Sequence, residues 1–406
     1  MRILHIGKHL PSSAGGIEGY LGQLMAASDS RGVITHALVH GGGHPARPDP
    51  RCTVVPSHGR LLFAPLSPAF LATADRAIAD FEPDLLHIHV PNLSALWLLA
   101  SKAASRVPWL LHWHADVAGA SHRLLRVAYR GYAWFESRLL ARSAAIVATS
   151  ANYLGASTTL KPWLHKAHVI PLGLHPPERA PDPESIAWAC TQWQPGSGRV
   201  LFVGRPSYYK GLSDLLAAVA RQPDVSLVVV GPGTAAALAE PVRRRMLHDR
   251  VFLLDYQSPD RLSALMGAAD CLCLPSTGRE EAFGLVALEA MARGTPVVAS
   301  DIPGSGLSWV VEHDVSGMLV PPRNPAALAS VFATLRREPA RWQRLGGGAR
   351  KAFQRRFPFD ESVDRMLGLY RGVLATESRI AGQSTACQVR DQRIRPTASS
   401  RDQSTR

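Results

Sequence analysis

Short apolar runs rich in Val, Ile and Leu alternate with helical periodicity along most of the chain. A short apolar run bounded by turn residues is typical of a buried strand, and apolar positions three and four residues apart are typical of an amphipathic helix. The strand candidates of the first half are 2–7, 33–40, 84–89, 108–113, 144–149 and 168–171. Those of the second half are 199–204, 226–231, 250–254, 270–274, 296–300 and 317–320. This alternation predicts an α/β protein with doubly wound parallel sheets.

The alternation is interrupted by a proline-rich stretch at 171–198, which indicates a linker between two similar halves. Ligands of doubly wound sheets bind at the carboxyl ends of the strands, so two facing halves predict a cleft between Rossmann-like domains. The predicted units are an N-terminal domain, a linker, a second domain, a C-terminal helix that packs back on the first domain, and a disordered basic tail. Their bounds are 1–175, 176–198, 199–355, 356–376 and 377–406.

The composition is that of a globular protein, with 46% hydrophobic and 19% charged residues among 406. No apolar run reaches the roughly 20 residues of a membrane span. The first residues enter a strand-like run without the architecture of a signal peptide. The five cysteines are odd in number and scattered, which suits a reducing compartment. We expect a cytoplasmic protein.

The formal net charge of +13 calls for an anionic partner, such as a nucleic acid, a phosphorylated substrate or an acidic membrane face. No nucleic-acid-binding signature is present, so we expect no nucleic acid partner. In residues 121–142, five arginines are interleaved with aromatic and aliphatic residues. Such a helix lies either in an anionic bilayer interface, on the inner face of the plasma membrane, or over a core with its arginines in water. The sequence leaves both alternatives open.

The loop after the first predicted strand contains Gly15-Gly16, directly before a helical run. Consecutive glycines allow backbone N–H groups to approach a phosphate or sugar at a helix N-terminus. The Gly-x-Gly-x-x-Gly fingerprint of dinucleotide-binding proteins does not follow this strand, and no acidic residue for a ribose ends the second one. A nicotinamide-dependent dehydrogenase is therefore disfavoured.

Polar residues also follow the fourth predicted strand. We expect His114 and Asp116 to meet a substrate hydroxyl at the cleft, with His112 as a buried structural histidine. Together with His87 and His89 these residues suggest a zinc site. The chain has no Cys/His/Glu cluster with metal-ligand spacing, however, and we expect no metal.

Two cations flank the turn after the first strand of the second half. Arg205 follows that strand directly, and Lys210 stands at the start of the next helix. Two fixed cations can neutralise a diphosphate leaving group without a metal. The chain has no Asp-x-Asp pair, which is the usual handle for a metal-bound sugar nucleotide. We therefore expect metal-independent chemistry with no cofactor; surface cations are the alternative.

Two carboxylates eight residues apart lie further along, in a Glu-Ala-Phe-Gly segment and the helix that follows it. Eight residues are about two helical turns, so Glu289 lies inside the helix and Glu281 in the loop before it. Gly284 allows the backbone to approach a ligand at the helix N-terminus. Taken alone, this pair is typical of the surface of an amphipathic helix.

Taken in order, Gly-Gly-x-Glu, His-x-Asp, Gly-Arg-x(4)-Lys-Gly and Glu-x(7)-Glu with Phe-Gly resemble the family 4 retaining glycosyltransferases of the GT-B fold. The resemblance covers about residues 1–375, and the motifs of the second half are the specific ones. The segments 171–173, 208–211 and 294–298 are similar to bacterial members that build polysaccharide or O-antigen repeats, many of them mannosyltransferases.

The resemblance implies that 1–175 is the acceptor-side domain and that 199–355 is the nucleotide-sugar-binding domain. Arg205 and Lys210 would bind the donor diphosphate, and Glu289 would hold the ribose hydroxyls. Three positions would face the transferred sugar: the side chain of Glu281 and the backbone amides of Phe283 and Gly284. The segment 251–258 falls where members recognise the base, and it lacks a glycine often found there.

In the first domain, the resemblance implies that Gly16 lines the phosphate side of the donor and that His114 contacts the sugar hydroxyls near the reacting carbon. The chain departs from many members at Ala282, where they carry Gly. Glu280 stands next to Glu281, but the spacing to the helix carboxylate selects Glu281.

The implied activity is transfer of a hexose, with mannose favoured, from a GDP- or UDP-sugar to a glycan acceptor, with retention of the anomeric configuration. A polyprenyl-diphosphate-linked acceptor in surface polysaccharide synthesis suits a cytoplasmic enzyme with a basic, aromatic helix. The alternatives are a sugar-nucleotide epimerase on the same fold and a non-catalytic sugar-nucleotide-binding protein. A non-catalytic protein need not keep all four charged residues of the second domain, so their presence argues against that alternative. These residues are Arg205, Lys210, Glu281 and Glu289.

Overall fold

The computed structural model of the protein describes residues 1–10, 15–41, 49–61, 64–117 and 123–393. The first half contains the strands β1 Arg2–His9, β2 Ile34–His40, β3 Cys52–Val55, β4 Gly59–Leu61, β5 Ala64–Leu66, β6 Leu85–Val90, β7 Trp109–Trp113, β8 Ala145–Ala148 and β9 Ala167–Val169. The second contains β10 Gly198–Val203, β11 Val225–Val230, β12 Val251–Leu254, β13 Cys271–Leu274, β14 Val297–Ser300 and β15 Gly317–Val320.

The helices of the first half are α1 Gly16–Asp29, α2 Phe70–Phe81, α3 Arg123–Arg142 and α4 Ala151–Ala156, and α5 Pro183–Cys190 precedes the second sheet. The helices after it are α6 Leu212–Ala220, α7 Thr234–Arg244, α8 Pro259–Ala268, α9 Leu285–Arg293, α10 Leu307–Val310, α11 Pro325–Phe332, α12 Thr334–Arg337, α13 Pro339–Arg356 and α14 Phe359–Arg393. Three 3₁₀ helices are Leu93–Ala100, Ala104–Arg106 and Lys161–Lys166.

Apart from β4 and β5, which pair antiparallel with each other, the described strands form two parallel sheets, one in each half. The first has the order β3-β2-β1-β6-β7-β8-β9, and the second has the order β12-β11-β10-β13-β14-β15. Strands such as β6 and β11 are buried at every position, as expected for parallel sheets with helices on both faces. Each predicted strand overlaps an observed one, and the predicted fold of two doubly wound domains is confirmed. The sequence pattern did not predict the short strands β3, β4 and β5.

The last helix returns to the first domain. Leu174 and Pro358 form an isolated parallel bridge, and the Ser362 hydroxyl donates to the Pro171 carbonyl at 2.7 Å. A Cβ at Gly173 would lie 2.7 Å from the Phe359 Cα, so this crossing requires glycine. The Tyr370 hydroxyl lies 2.5 Å from the Nδ1 atom of His87, inside the first domain.

The linker and the tail differ from the prediction. The predicted linker contains α5, whose Trp188 ring lies 4.7 Å under the Arg261 guanidinium of α8, so part of it belongs to the second domain. The predicted tail begins at residue 377, whereas α14 continues to Arg393. The Ala, Gln, Arg and Glu residues in that stretch are good helix formers, so helicity persists without a core. Residues 394–406 lie outside the described part of the chain.

The helix α3 covers the first domain with one face and exposes the other. Glu136, Leu139 and Leu140 are buried, whereas Val127 and Trp134 are more than half exposed. Residues 121 and 122 of the predicted basic segment lie outside the described residues. Over the described ranges, none of the helices has the length and apolarity that crossing a membrane requires.

We predict that Tyr370→Ala lowers the free energy of unfolding by about 3–5 kcal/mol, since a fully buried aromatic ring and its hydrogen bond to His87 are lost. Urea unfolding followed by circular dichroism measures this change. Arg371→Ala is the matched control, because that side chain is exposed on the same helix and its loss is expected within about 0.5 kcal/mol of wild type. Equal stability of the two variants would contradict the docking role of Tyr370.

Candidate active site

The cleft lies where the strand order of each sheet reverses. These points are between β1 and β6 in the first sheet and between β10 and β13 in the second. A Cβ at Gly15 would lie 3.5 Å from the Nη2 atom of Arg205, and one at Gly16 would lie 3.2 Å from Leu285. The glycine loop of the first domain therefore lies directly against the second domain, at the predicted donor site.

Lys210 and Glu281 form a buried ion pair at the base of the cleft. The Nζ atom lies 2.6 Å from Oε2, and the two side chains are 13% and 8% exposed. The Ser276 hydroxyl donates to the same carboxylate oxygen at 2.7 Å. Burial opposes the charge of Lys210, but the Glu281 carboxylate outweighs this effect and raises the pKa of Lys210. Lys210 therefore keeps its charge at neutral pH.

The backbone brings this pair together. Gly211 caps α6 with a φ of 65°, and a Cβ there would lie 1.9 Å from the Pro275 carbonyl oxygen. The Thr277 amide donates to the Tyr209 carbonyl at 2.7 Å. The loops that follow β10 and β13 thus pack backbone against backbone, and a side chain at Gly211 would separate them.

Arg205 and Glu280 flank the ion pair. Arg205 follows β10 directly and is exposed toward the glycine loop of the first domain. Glu280 accepts a hydrogen bond from the Tyr208 hydroxyl at 3.0 Å, whereas Glu281 carries the contact to Lys210. The structure therefore places Glu281, and not its neighbour, beside the predicted diphosphate cations.

Glu289 lies on α9, half-buried. Burial raises the pKa of its carboxyl group to about 7. Within the described ranges, no hydrogen bond or ion pair of this carboxylate is recorded. A carboxylate desolvated without a protein partner is suited to a polar ligand.

Phe283 and Gly284 form the entrance of α9. The Phe283 ring is buried and contacts Trp309 and Phe357, with centroids 6.3 and 6.1 Å away. Gly284 has a φ of 79° as the N-cap of the helix, a conformation that favours glycine. The ring thus anchors the loop in the core. The prediction that the backbone amides of Phe283 and Gly284 face the transferred sugar does not involve this ring and stays a prediction.

His114 belongs to a stack of buried histidines and is only 5% exposed. Its Nε2 atom lies 3.0 Å from His89 Nδ1, and its ring lies 4.2 Å from that of His112. Burial lowers the pKa of His114 to about 3, so the imidazole is neutral. Its Nδ1 atom is buried with no hydrogen-bond partner among the described residues. One nitrogen is thus left for a ligand, and the other is held by the stack.

The same stack contains the atoms considered for zinc, together with His5, which the sequence pattern did not single out. Two triads share His89 and place their ligand atoms within 4.8 Å of one another; their members are His5, His87 and His89, and His89, His112 and His114. The rings are stacked and hydrogen-bonded to each other, and burial lowers the pKa of each. The ring nitrogens thus serve one another as hydrogen-bond partners, which is typical of a structural cluster, and the expectation of no metal stays a prediction.

Asp116 is held by protein groups. Its carboxylate accepts hydrogen bonds from Trp113 Nε1 and Ser157 Oγ, both at 2.8 Å, and lies 3.1 Å from Nη1 of Arg279. These contacts bind Asp116 to protein groups of both domains, and the prediction that it meets a substrate hydroxyl stays a prediction. The sequence pattern missed Ser276 and Arg279, since neither forms a recognisable motif with its neighbours.

Two facing doubly wound domains with a cleft between their strand ends define the GT-B architecture. Residues 191–352 match the family model described as glycosyl transferases group 1, and residues 15–173 match the glycosyl transferase 4-like domain. The chain belongs to family 4 of the GT-B glycosyltransferases, and it is a glycosyltransferase by these matches and by its relatives.

Two relatives cover nearly the whole chain. The O-antigen chain mannosyltransferase C of Escherichia coli is 30% identical over 93% of this chain and 100% of its own. The D-rhamnosyltransferase WbpZ of Pseudomonas aeruginosa is 30% identical over 88% of this chain and 92% of its own. The Anabaena protein Alr3699/HepE, solved in complex with UDP and glucose, has the same fold, with a TM-score of 0.72, 22% identity, and coverage of 92% of this chain and 100% of that one.

The raised pKa of Glu289 predicts how stability depends on pH. The folded state keeps the proton up to about pH 7, whereas the unfolded chain loses it near 4.5, so stability falls as pH rises between these values. We predict that Glu289→Gln removes this fall and is more stable than wild type by on the order of 2 kcal/mol at pH 8, with the difference shrinking toward pH 5.

Urea unfolding at several pH values between 5 and 8 measures this difference. Glu240→Gln is the control, because that side chain is half exposed on α7 and its loss leaves the pH profile of the wild type. Parallel profiles for wild type and Glu289→Gln would show that burial does not shift this carboxyl group.

Proposed function

We propose that the protein is a retaining mannosyltransferase that moves mannose from GDP-mannose to a glycan acceptor linked to polyprenyl diphosphate, in surface polysaccharide synthesis. The observation that carries this proposal is the buried Lys210–Glu281 pair beside Arg205, at the point where the two domains face each other. The resemblance to family 4 and the names of the two relatives, a mannosyltransferase and a rhamnosyltransferase, support the sugar and the pathway type.

The donor would lie on the second domain. Arg205 and Lys210 would bind its diphosphate, the Glu289 carboxylate would accept hydrogen bonds from the ribose hydroxyls, and the Gly16 backbone would line the phosphates from the first domain. As the bond from the anomeric carbon to the diphosphate oxygen lengthens, negative charge builds on the leaving oxygens. Fixed cations stabilise that charge more than they stabilise the ground state.

Glu281 would position the donor sugar and not attack it. Its carboxylate is paired with Lys210 and accepts the Ser276 hydroxyl, both at Oε2, and these contacts hold it in one orientation. The acceptor hydroxyl would be the nucleophile. It would attack the anomeric carbon on the same face from which the diphosphate departs, and the configuration would be retained. The acceptor proton passes to the departing phosphate oxygen, and the neutral His114 offers its free nitrogen to a sugar hydroxyl nearby.

The two cations also support metal-independent chemistry. Lys210 keeps its proton because the pKa is raised, and Arg205 is charged at any physiological pH. Together they supply the positive charge that a divalent ion supplies at an Asp-x-Asp pair. UDP is the alternative nucleotide, since HepE was solved in complex with UDP.

The test is a donor panel of GDP- and UDP-sugars with a polyprenyl-diphosphate-linked acceptor, with the product configuration read by NMR. We expect turnover with GDP-mannose, an α-linked product, and a loss of roughly 100-fold or more in kcat for Arg205→Ala, because the leaving diphosphate loses a cation. Lys210→Met is expected to lose at least as much. Product formation without an acceptor would instead indicate an epimerase.

Arg245→Ala is the control for the loss of a cation, since Arg245 follows α7 and its kcat is expected to match wild type. EDTA is expected to leave the rate unchanged. A strict divalent-metal requirement, or near-normal kcat in Arg205→Ala with an intact circular dichroism spectrum, would refute the diphosphate assignment.

We further propose that α3 attaches the enzyme to the inner face of an anionic membrane, where a lipid-linked acceptor resides. Trp134 and Phe135 are 54% and 40% exposed, and the Arg138 guanidinium lies 3.9 Å over the Trp134 ring. Exposed aromatic rings beside arginines suit the interface of an acidic bilayer. A cytoplasmic enzyme bound peripherally in this way would meet its acceptor without a membrane span.

Vesicle flotation tests this surface. We expect the protein to float with phosphatidylglycerol/phosphatidylethanolamine vesicles and not with phosphatidylcholine alone, and Trp134→Ala/Phe135→Ala to lower binding at least about tenfold, because two buried rings are lost from the interface. Met246→Ala is the control, because Met246 is an apolar side chain of the second domain that is more exposed than either ring. Flotation that depends on neither lipid charge nor the two rings would exclude α3 as the anchor.

A further inference from the structure

Arg279 extends from the loop that carries Glu281 into the first domain. Its Nη1 atom lies 3.1 Å from the Asp116 carboxylate and donates to the Ala156 carbonyl at 3.1 Å. Its Nη2 atom donates to the Tyr153 carbonyl at 3.2 Å, and the guanidinium lies 4.5 Å over the Tyr153 ring. One side chain of the second domain thus binds three backbone or side-chain acceptors on the first.

The receiving side is rigid. Asp116 is buried and fixed by Trp113 and Ser157, and its backbone amide donates to the Tyr153 hydroxyl at 2.5 Å. Tyr153 is itself fully buried in the core of the first domain. A guanidinium that reaches these groups therefore has one available position, set by the first domain.

The neighbouring residues make the same crossing at close range. Ala282 packs in the hydrophobic cluster of the first domain, although it lies in the second. A Cβ at Gly304 would lie 2.3 Å from the Cβ of Ala156, and Nε of Arg279 donates to the Gly304 carbonyl at 3.2 Å. The Ser305 hydroxyl donates to the Glu281 carbonyl at 2.5 Å. The loop on both sides of Glu281 is thus seated on the first domain.

We propose that Arg279 is a positioning residue that couples closure of the two domains to the placement of Glu281. With the domains together, Arg279 is bound by Asp116, Tyr153 and Ala156, and the loop holds Glu281 against Lys210. With the domains apart, these contacts are broken and the loop is anchored on one side only. This inference rests on the proposed role of Glu281 in donor positioning.

A contribution to stability alone does not account for this arrangement. A partly buried ion pair gains little net free energy over an apolar contact, because both charges lose solvation. The ion pair does constrain the geometry strongly, since the guanidinium is planar and each of its hydrogen bonds has a fixed direction. The consequence for the reaction is that a loosened loop admits water to the donor and misplaces the sugar.

The test is the kinetics of Arg279→Gln with separate measurements of donor affinity, transfer and donor hydrolysis. We expect kcat for transfer to fall about 10- to 100-fold, donor Kd to change less than about threefold, and the ratio of hydrolysis to transfer to rise. Asp116→Asn is expected to act in the same direction with a smaller effect. The kcat of the double variant is expected to match that of Arg279→Gln, because both changes break the same contact between Arg279 and Asp116.

Arg199→Gln is the matched control. Arg199 forms a partly buried ion pair with Asp270 at 3.0 Å, at the amino ends of the strands and away from the cleft. Its variant is expected to lose thermal stability with kcat unchanged. A kcat of Arg279→Gln within about twofold of wild type, or donor affinity falling in proportion to kcat, would overturn the inference.

Glu281→Gln separates this inference from the proposed function. An active Glu281→Gln enzyme would refute the role of the carboxylate and with it the basis of the coupling. An inactive Glu281→Gln enzyme with a normal Arg279→Gln variant would refute the coupling alone.

Discussion

The ion pair of Lys210 and Glu281 is the interaction on which the arrangement of the cleft depends. Both charges are largely withdrawn from water, and a lone partner would leave an uncompensated buried charge. The pair joins the loop after β10 to the loop after β13, across the point where the strand order of the second sheet reverses. It therefore fixes the two loops that carry the cations and the carboxylate of the candidate site in one geometry.

Around this pair, the two domains approach each other closely at glycine residues, which have no side chain to separate them. Gly15 and Gly16 of the first domain lie against Arg205 and Leu285, and Gly304 of the second lies against Ala156. Contacts at this range leave no room for water, which suits a reaction that competes with hydrolysis of an activated sugar. Closeness also makes the site sensitive to domain separation, because the polar contacts across the cleft have short, directional geometry.

Much of the fold and part of the site followed from local signals. Buried strands of a parallel sheet are continuous apolar runs, and Arg205, Lys210 and Glu281 stand in the loops that follow two of them, where such sheets bind ligands. The sequence grouped four histidines of the stack but not His5, because His5 lies on β1, whose pairing with β6 the pattern does not specify. The end of α14 was misplaced for a related reason, since helix propensity persists where the apolar pattern has already ended.

The sequence by itself determined the doubly wound class and the charged residues after the strands, because each of these depends on neighbours a few positions away. Only the tertiary structure decided which side chains these charged residues contact. Lys210 and Glu281 are 71 positions apart, and Arg279 and Ala156 are 123 apart, so no local spacing relates them. Asp116 shows the difference most clearly. Its motif indicated a place at the substrate, whereas the closed packing of two domains gave its carboxylate to an arginine of the other domain.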